Sequence, residues 1–64
     1  MNDLYLERAK EKIEDPRLLS IVASKRARQL ARGGRPMVKC DDQEYLDIAL
    51  LEIAEGLVYW EEEK

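Results

Sequence analysis

Asp15-Pro16-Arg17-Leu18-Leu19-Ser20-Ile21-Val22-Ala23-Ser24-Lys25-Arg26-Ala27-Arg28-Gln29-Leu30-Ala31-Arg32-Gly33-Gly34 is a helix with its own punctuation. Aspartate accepts hydrogen bonds from the free N–H groups of a first turn, and proline at the first helical position has no N–H to lose. Leu19, Val22, Ala23, Ala27, Leu30 and Ala31 then recur at spacings of three and four, which lays one apolar face along a helix of about residues 16–32. Gly33-Gly34 stops it, because glycine takes the left-handed conformation of a helix C-terminus without penalty. Arg32 near that end is favourable to the helix dipole.

Outward from this segment, two further helices are predicted and no strand. Upstream, Asn2 or Asp3 can cap a helix of about residues 3–13, with Leu4, Leu6, Ala9 and Ile13 as an imperfect stripe. Downstream, Arg35 to Cys40 reads as an extended connector, since Pro36 disfavours helix at Arg35. Asp41 with Glu44 resembles a capping box for a third helix of about residues 42–55, which Gly56 would stop with Leu57 as its apolar follower. Val58-Tyr59-Trp60 is apolar, and residues 61–64 form an acidic, solvated end.

The fold class expected is therefore all-α: one domain over residues 1–64, built as a small bundle of about three helices. Its core must be thin, for a domain of this size buries only about 60% of the surface of its unfolded chain. Small folds ordinarily add a disulfide, a metal or a partner. With the single thiol of Cys40 and no histidine, an internal disulfide is impossible and neither a metal nor a cofactor is expected. A partner remains. The third helix points the same way: Leu46, Leu50, Ile53 and Leu57 make one stripe, while Ile48, Leu51 and Val58 fall on another. A helix apolar on two sides needs cover on two sides, and two short helices are expected to cover only one. Tyr59 and Trp60, of residue types enriched at interfaces, add to the surplus.

Charge is segregated. Residues 1–15 carry a balance of −2, residues 16–39 carry seven bases and no acid, and residues 40–64 stand at −8, for a total of −3. A chain that binds nucleic acid by itself is normally basic overall, so contact with DNA or RNA is expected only indirectly. On the second helix Lys25, Arg28 and Arg32 line up at spacings of three and four, with Arg26 and Gln29 beside them. Such a face is ordinarily the solvated side of a helix. Arginine, which outnumbers lysine here, also offers planar forks to carboxylates and exposed carbonyls. The pairs Asp41/Asp42 and Glu52/Glu55 read as capping and as a solvated helix face. No residue set supplies a nucleophile with its base, no glycine-rich phosphate loop precedes a helix, and no catalytic residue is expected. The start Met1-Asn2-Asp3-Leu4 lacks the basic and apolar regions of an export signal, and no apolar run would span a bilayer, so a cytoplasmic chain without membrane contact is expected.

The segment from Ile21 to Gly34, an apolar stretch followed by Arg26-Ala27-Arg28-Gln29-Leu30 and paired glycine, resembles the central motif of the omega subunits of bacterial RNA polymerase. Ile48-Ala49-Leu50-Leu51-Glu52-Ile53-Ala54-Glu55-Gly56-Leu57-Val58 is similar to the family's second block, and Glu11-Lys12-Ile13 followed by Arg17 to its lead-in. Both blocks stand in order, over roughly residues 11–58. The resemblance implies a non-catalytic accessory subunit of the nucleotidyltransferase complex. Such a subunit wraps part of the largest (beta-prime) subunit and acts as an assembly chaperone and stabiliser. The implied partner-facing positions are Arg26, Arg28, Gln29 and Leu30, with Glu52, Ile53 and Gly56 in the second block; Arg17, Ile48, Leu51 and Val58 flank them as further candidate partner contacts. The resemblance breaks at the start, where many relatives have a Met-Ala-Arg-Val-Thr-like segment that helps bind the alarmone guanosine tetraphosphate. Here an acid, Asp3, stands in place of the arginine, and an acid repels an anionic ligand, so no contribution to such a site is expected. Two other readings compete: a small DNA-binding regulator using residues 17–32 as a recognition helix, and a self-associating helical adaptor paired along Leu46, Leu50, Ile53 and Leu57.

Overall fold

In the computed structural model, which describes residues 3–39 and 44–60, three helices follow one another: α1 (Asp3–Lys10), α2 (Pro16–Ala31) and α3 (Tyr45–Ala54). Among the described residues there is no strand, and the architecture is an all-α bundle. The first two residues, Cys40 with Asp41 and Asp42, and the acidic end at 61–64 lie outside the described residues, as do the expectations that fell on them.

The start of α2 follows the local chemistry. Asp15 is the N-cap in extended conformation, and its carboxylate accepts from the Arg17 N–H at 2.9 Å, with Pro16 in the first turn. Its end is a Schellman motif: the Gly33 N–H donates to the Leu30 carbonyl at 3.1 Å and the Gly34 N–H to the Gln29 carbonyl at 3.0 Å. Arg32 is the C-cap rather than the last helical residue, and Gly33 stands at φ 102°. The same motif closes α3, with Gly56 (φ 73°) donating to the Ile53 carbonyl and Leu57 to the Glu52 carbonyl.

Two helices are shorter than expected. α1 ends at Lys10, not Ile13, because the Glu11 and Lys12 N–H groups turn back to the Arg8 and Ala9 carbonyls three residues earlier. Those i→i−3 bonds tighten the last turn and swing the chain toward Asp15. Ile13 enters the core from outside the helix. α3 begins at Tyr45, not residue 42: Glu44 is itself the extended N-cap, and its side chain makes no capping hydrogen bond. Glu44 therefore does not act as the third-turn-position partner of a capping box.

α3 is the centre of the bundle, with α1 and α2 both packed on it. Ala9, Ile13, Leu19, Val22, Ala23, Leu50 and Ile53 form one core cluster, against which Leu6, Leu18, Leu46, Val58 and Trp60 pack; Leu30, Ile48 and Ala49 form a second, with Ala27 and Val38 against it. Each fully buried Leu, Ile or Val contributes about 1.5–3 kcal/mol. Every residue from Asp47 to Ala54 is buried. This overturns the expectation that the chain could cover only one side of its third helix. The connector, through Val38, and the tail, through Val58 and Trp60, supply the missing cover. Helical periodicity does not register such cover, because neither segment is helical. The pairing seam of the adaptor reading is lost with it, since Leu50 and Ile53 lie inside the molecule.

Candidate functional site

Two acidic side chains of α3 are buried, Asp47 and, more deeply, Glu52. Glu52 projects from α3 with no solvent exposure (0%) and meets Arg26 of α2, whose side chain is 14% exposed. The Arg26 Nε donates to Glu52 Oε1 at 2.6 Å and Nη2 donates to Oε2 at 3.1 Å, a two-pronged, charge-assisted contact. Glu52 Oε2 also accepts from the Met37 backbone N–H at 2.7 Å, and Arg26 Nη2 donates to the Arg35 carbonyl at 3.0 Å. Arg26 Nη1 donates to Gln29 Oε1 at 3.2 Å. The pair therefore ties α2, α3 and the connector together. The hydrogen bonds to Glu52 raise the Arg26 pKa above its ordinary value; burial opposes the rise and the Coulombic attraction of Glu52 adds to it. A raised arginine pKa means that the guanidinium gives up its charge only in strong base.

The reading of Glu52 as part of a solvated face is thus corrected: it is the most enclosed carboxylate of the described chain. Glu55 does face solvent, paired with Arg8 at 2.9 Å across the α1–α3 contact. Nor does Arg26 lie on the open basic face with Lys25, Arg28 and Arg32, for it turns inward to α3.

Outside this hub the surface carries a groove of about 530 Å³ between α2 and the tail. Arg17, Ile21, Lys25 and Gln29 line it from α2, and Tyr59 and Trp60 from the tail. Ile21 is 64% exposed and Tyr59 85%, so the groove has apolar surface open to solvent. Arg17 and Lys25 have no ion-pair partner among the described residues.

The sequence candidates divide by accessibility. Arg17, Arg28, Gln29 and Gly56 are exposed, and Val58 and Arg26 half-buried. Leu30, Ile48, Leu51, Glu52 and Ile53 are enclosed by the chain itself. Of the set, Arg17, Arg26, Gln29 and Val58 line the groove, Arg26 also meets Glu52, and Leu30 shares a core cluster with Ile48. Ile21 and Lys25 were not among those candidates, although they stand with Arg17 at four-residue spacing on one helical face. That spacing is the signal that would have found them. The roles of the Arg35 carbonyl and the Met37 N–H had no signal in residue type, because they are backbone groups.

Fold and site define a small all-α chain locked by a buried ion pair, with a mixed cationic and apolar groove on its surface. Residues 8–59 match the protein family RNA polymerase Rpb6. The chain is 52% identical over 52 residues to the DNA-directed RNA polymerase subunit omega of a Nitratiruptor species, spanning 78% of this chain and 74% of that protein. It is 44% identical over 57 residues to the protein of the same name from Campylobacter lari (84% and 79% covered), and 41% over 51 residues to that of a Clostridium botulinum strain (80% and 77% covered). No solved structure matches significantly. The chain belongs to the RNA polymerase Rpb6 family, among the omega subunits of DNA-directed RNA polymerase. It is thus an accessory component of the transcription enzyme, and no helix among the described residues is long and apolar enough to cross a membrane.

Proposed function

We propose that the chain binds the largest (beta-prime) subunit of RNA polymerase in the cytoplasm and promotes that subunit's folding, assembly into the core enzyme and stability, with no catalytic residue of its own. The reading is carried by the match over residues 8–59, which takes in both sequence blocks and the whole of α2 and α3. The open groove supports it, since apolar surface beside cations that have no ion-pair partner among the described residues suits a protein partner. Contact with DNA or RNA then comes only through the complex.

The mechanism is mass action. A chain that binds only the folded partner stabilises it, by about 2.7 kcal/mol at a hundredfold excess over the dissociation constant. Within the candidate set, Arg17, Arg28, Gln29, Gly56 and Val58 present themselves to the partner. Arg26, Leu30, Ile48, Leu51, Glu52 and Ile53 hold the shape that presents them.

Affinity purification of the tagged chain from its native cell tests the reading. Both large polymerase subunits are expected to come with it; recovery without them overturns the proposal. Refolding of denatured largest subunit should give a higher soluble yield with the chain than without it. Alarmone binding is a separate matter: Asp3 offers an anionic ligand repulsion, and the chain is proposed to add nothing to such a site. Guanosine tetraphosphate affinity of the purified polymerase that falls on deletion of the first residues of this chain would refute that.

A further inference from the structure

Among the described residues the groove between α2 and the tail stays open, and its chemistry says what would fill it. Ile21 lies between Arg17 and Lys25 on one face of α2, four residues from each, with Tyr59 and Trp60 opposite. Eight residues of helix separate the two cations by about 12 Å along the axis. Asp15 also lines the groove and keeps its charge, but its carboxylate accepts from the Arg17 backbone N–H and makes no ion pair with the Arg17 guanidinium. A floor that is apolar in the middle and cationic at both ends is complementary to an apolar side chain flanked by two carboxylates. An extended chain spans about 12 Å in three to four residues. The volume of about 530 Å³ falls in the range of sites that enclose a small ligand or a few side chains.

We propose that this groove takes an extended segment of the largest polymerase subunit in which an apolar residue sits between two acids three or four positions apart. The apolar side chain packs on Ile21 and Trp60, and the carboxylates pair with Arg17 and Lys25. A single-stranded nucleic acid could also use cations and aromatic rings. Ile21 at the centre favours the peptide, since an aliphatic side chain offers a base no ring to stack on. The inference rests on the partner reading above, and its test separates the two.

The experiment is made on polymerase purified through the tagged chain. With Ile21 replaced by the photo-cross-linker benzoylphenylalanine, irradiation should yield an adduct to the largest subunit that maps to a segment of the stated acid–apolar–acid pattern. An adduct to nucleic acid, to a segment without the two acids, or to no protein at all overturns the proposal. In parallel, the double variant Arg17→Glu/Lys25→Glu should retain at least tenfold less of the large subunits than the control Lys10→Glu/Lys39→Glu, whose positions are exposed and outside the groove. All four positions are exposed, so circular dichroism should show unchanged helix content in both. Equal retention by the two variants sinks the groove while leaving the partner reading intact. Failure of the unmodified chain to retrieve the large subunits sinks both.

Discussion

Stranding one partner of the Arg26–Glu52 pair should remove a large share of the chain's stability, whereas removing both charges together should cost less. In Arg26→Ala, Glu52, which is 0% exposed in the intact fold, keeps the Met37 N–H as its remaining donor among the contacts described. Stranding one partner of a buried pair costs about 3–5 kcal/mol. At about 0.05–0.15 kcal/mol per residue, a chain of this length has a total stability on the order of 3–10 kcal/mol. The single change therefore removes about 30% of the stability at least. At about 4–8 °C per kcal/mol for small domains, a loss of 3 kcal/mol lowers Tm by about 12–24 °C. Glu52→Gln keeps an acceptor for Met37 but loses the charge, and should cost about 1.5–3 kcal/mol, the range for hydrogen bonds to charged groups. The double change Arg26→Met/Glu52→Leu leaves no stranded charge. It should be less destabilising than Arg26→Ala, with a coupling between the sites of at least about 2 kcal/mol. Urea unfolding followed by far-ultraviolet circular dichroism, with Trp60 fluorescence as a second probe, measures all of these. Single changes that each cost under about 1 kcal/mol, or a double change equal to their sum, would show that the pair does not hold the three segments together.

The two glycine motifs should respond differently to alanine. A Cβ on Gly34 would stand 2.8 Å from the Gln29 carbonyl oxygen, a backbone atom that cannot move without opening the end of α2, whereas one on Gly56 meets nothing within 4 Å and suffers only the cost of φ 73°. Thermal melts should show Gly56→Ala losing about 1–2 kcal/mol, the cost of left-handed backbone for a side-chain-bearing residue, and Gly34→Ala losing more; the reverse order would refute the close approach. Asp15→Ala removes the α2 cap and should cost about 0.5–2 kcal/mol in the same melts, with Asp15→Asn near neutral. Arg8→Ala breaks a pair whose side chains are 44% and 46% exposed, so chemical denaturation should show a loss below about 1 kcal/mol that vanishes in high salt.

How much of this was legible in the residues differs from element to element. The Asp15-Pro16 start and the two glycine stops were, since each is a local hydrogen-bonding solution that residue type announces. Family membership was legible too, in the motif blocks of α2 and α3. The ends of α1 and α3 were not, because backbone hydrogen bonds close the first and an extended Glu44 opens the second without a side-chain signal. For the site, the basic face was visible as a pattern, but the inward turn of Arg26 was not.

By itself, then, the order of residues determined where α2 begins and ends, that the chain is helical, which family it joins, and that its charge is sorted into blocks. Tertiary structure alone decided that α3 is wrapped by its own connector and tail, that Glu52 is an interior anchor and not a solvated acid, and that Ile21 faces an open groove. The reason is range. Capping and periodicity act within a turn or two of helix, whereas burial depends on segments 15 to 47 residues apart meeting in space, as Met37 meets Glu52 and Arg8 meets Glu55.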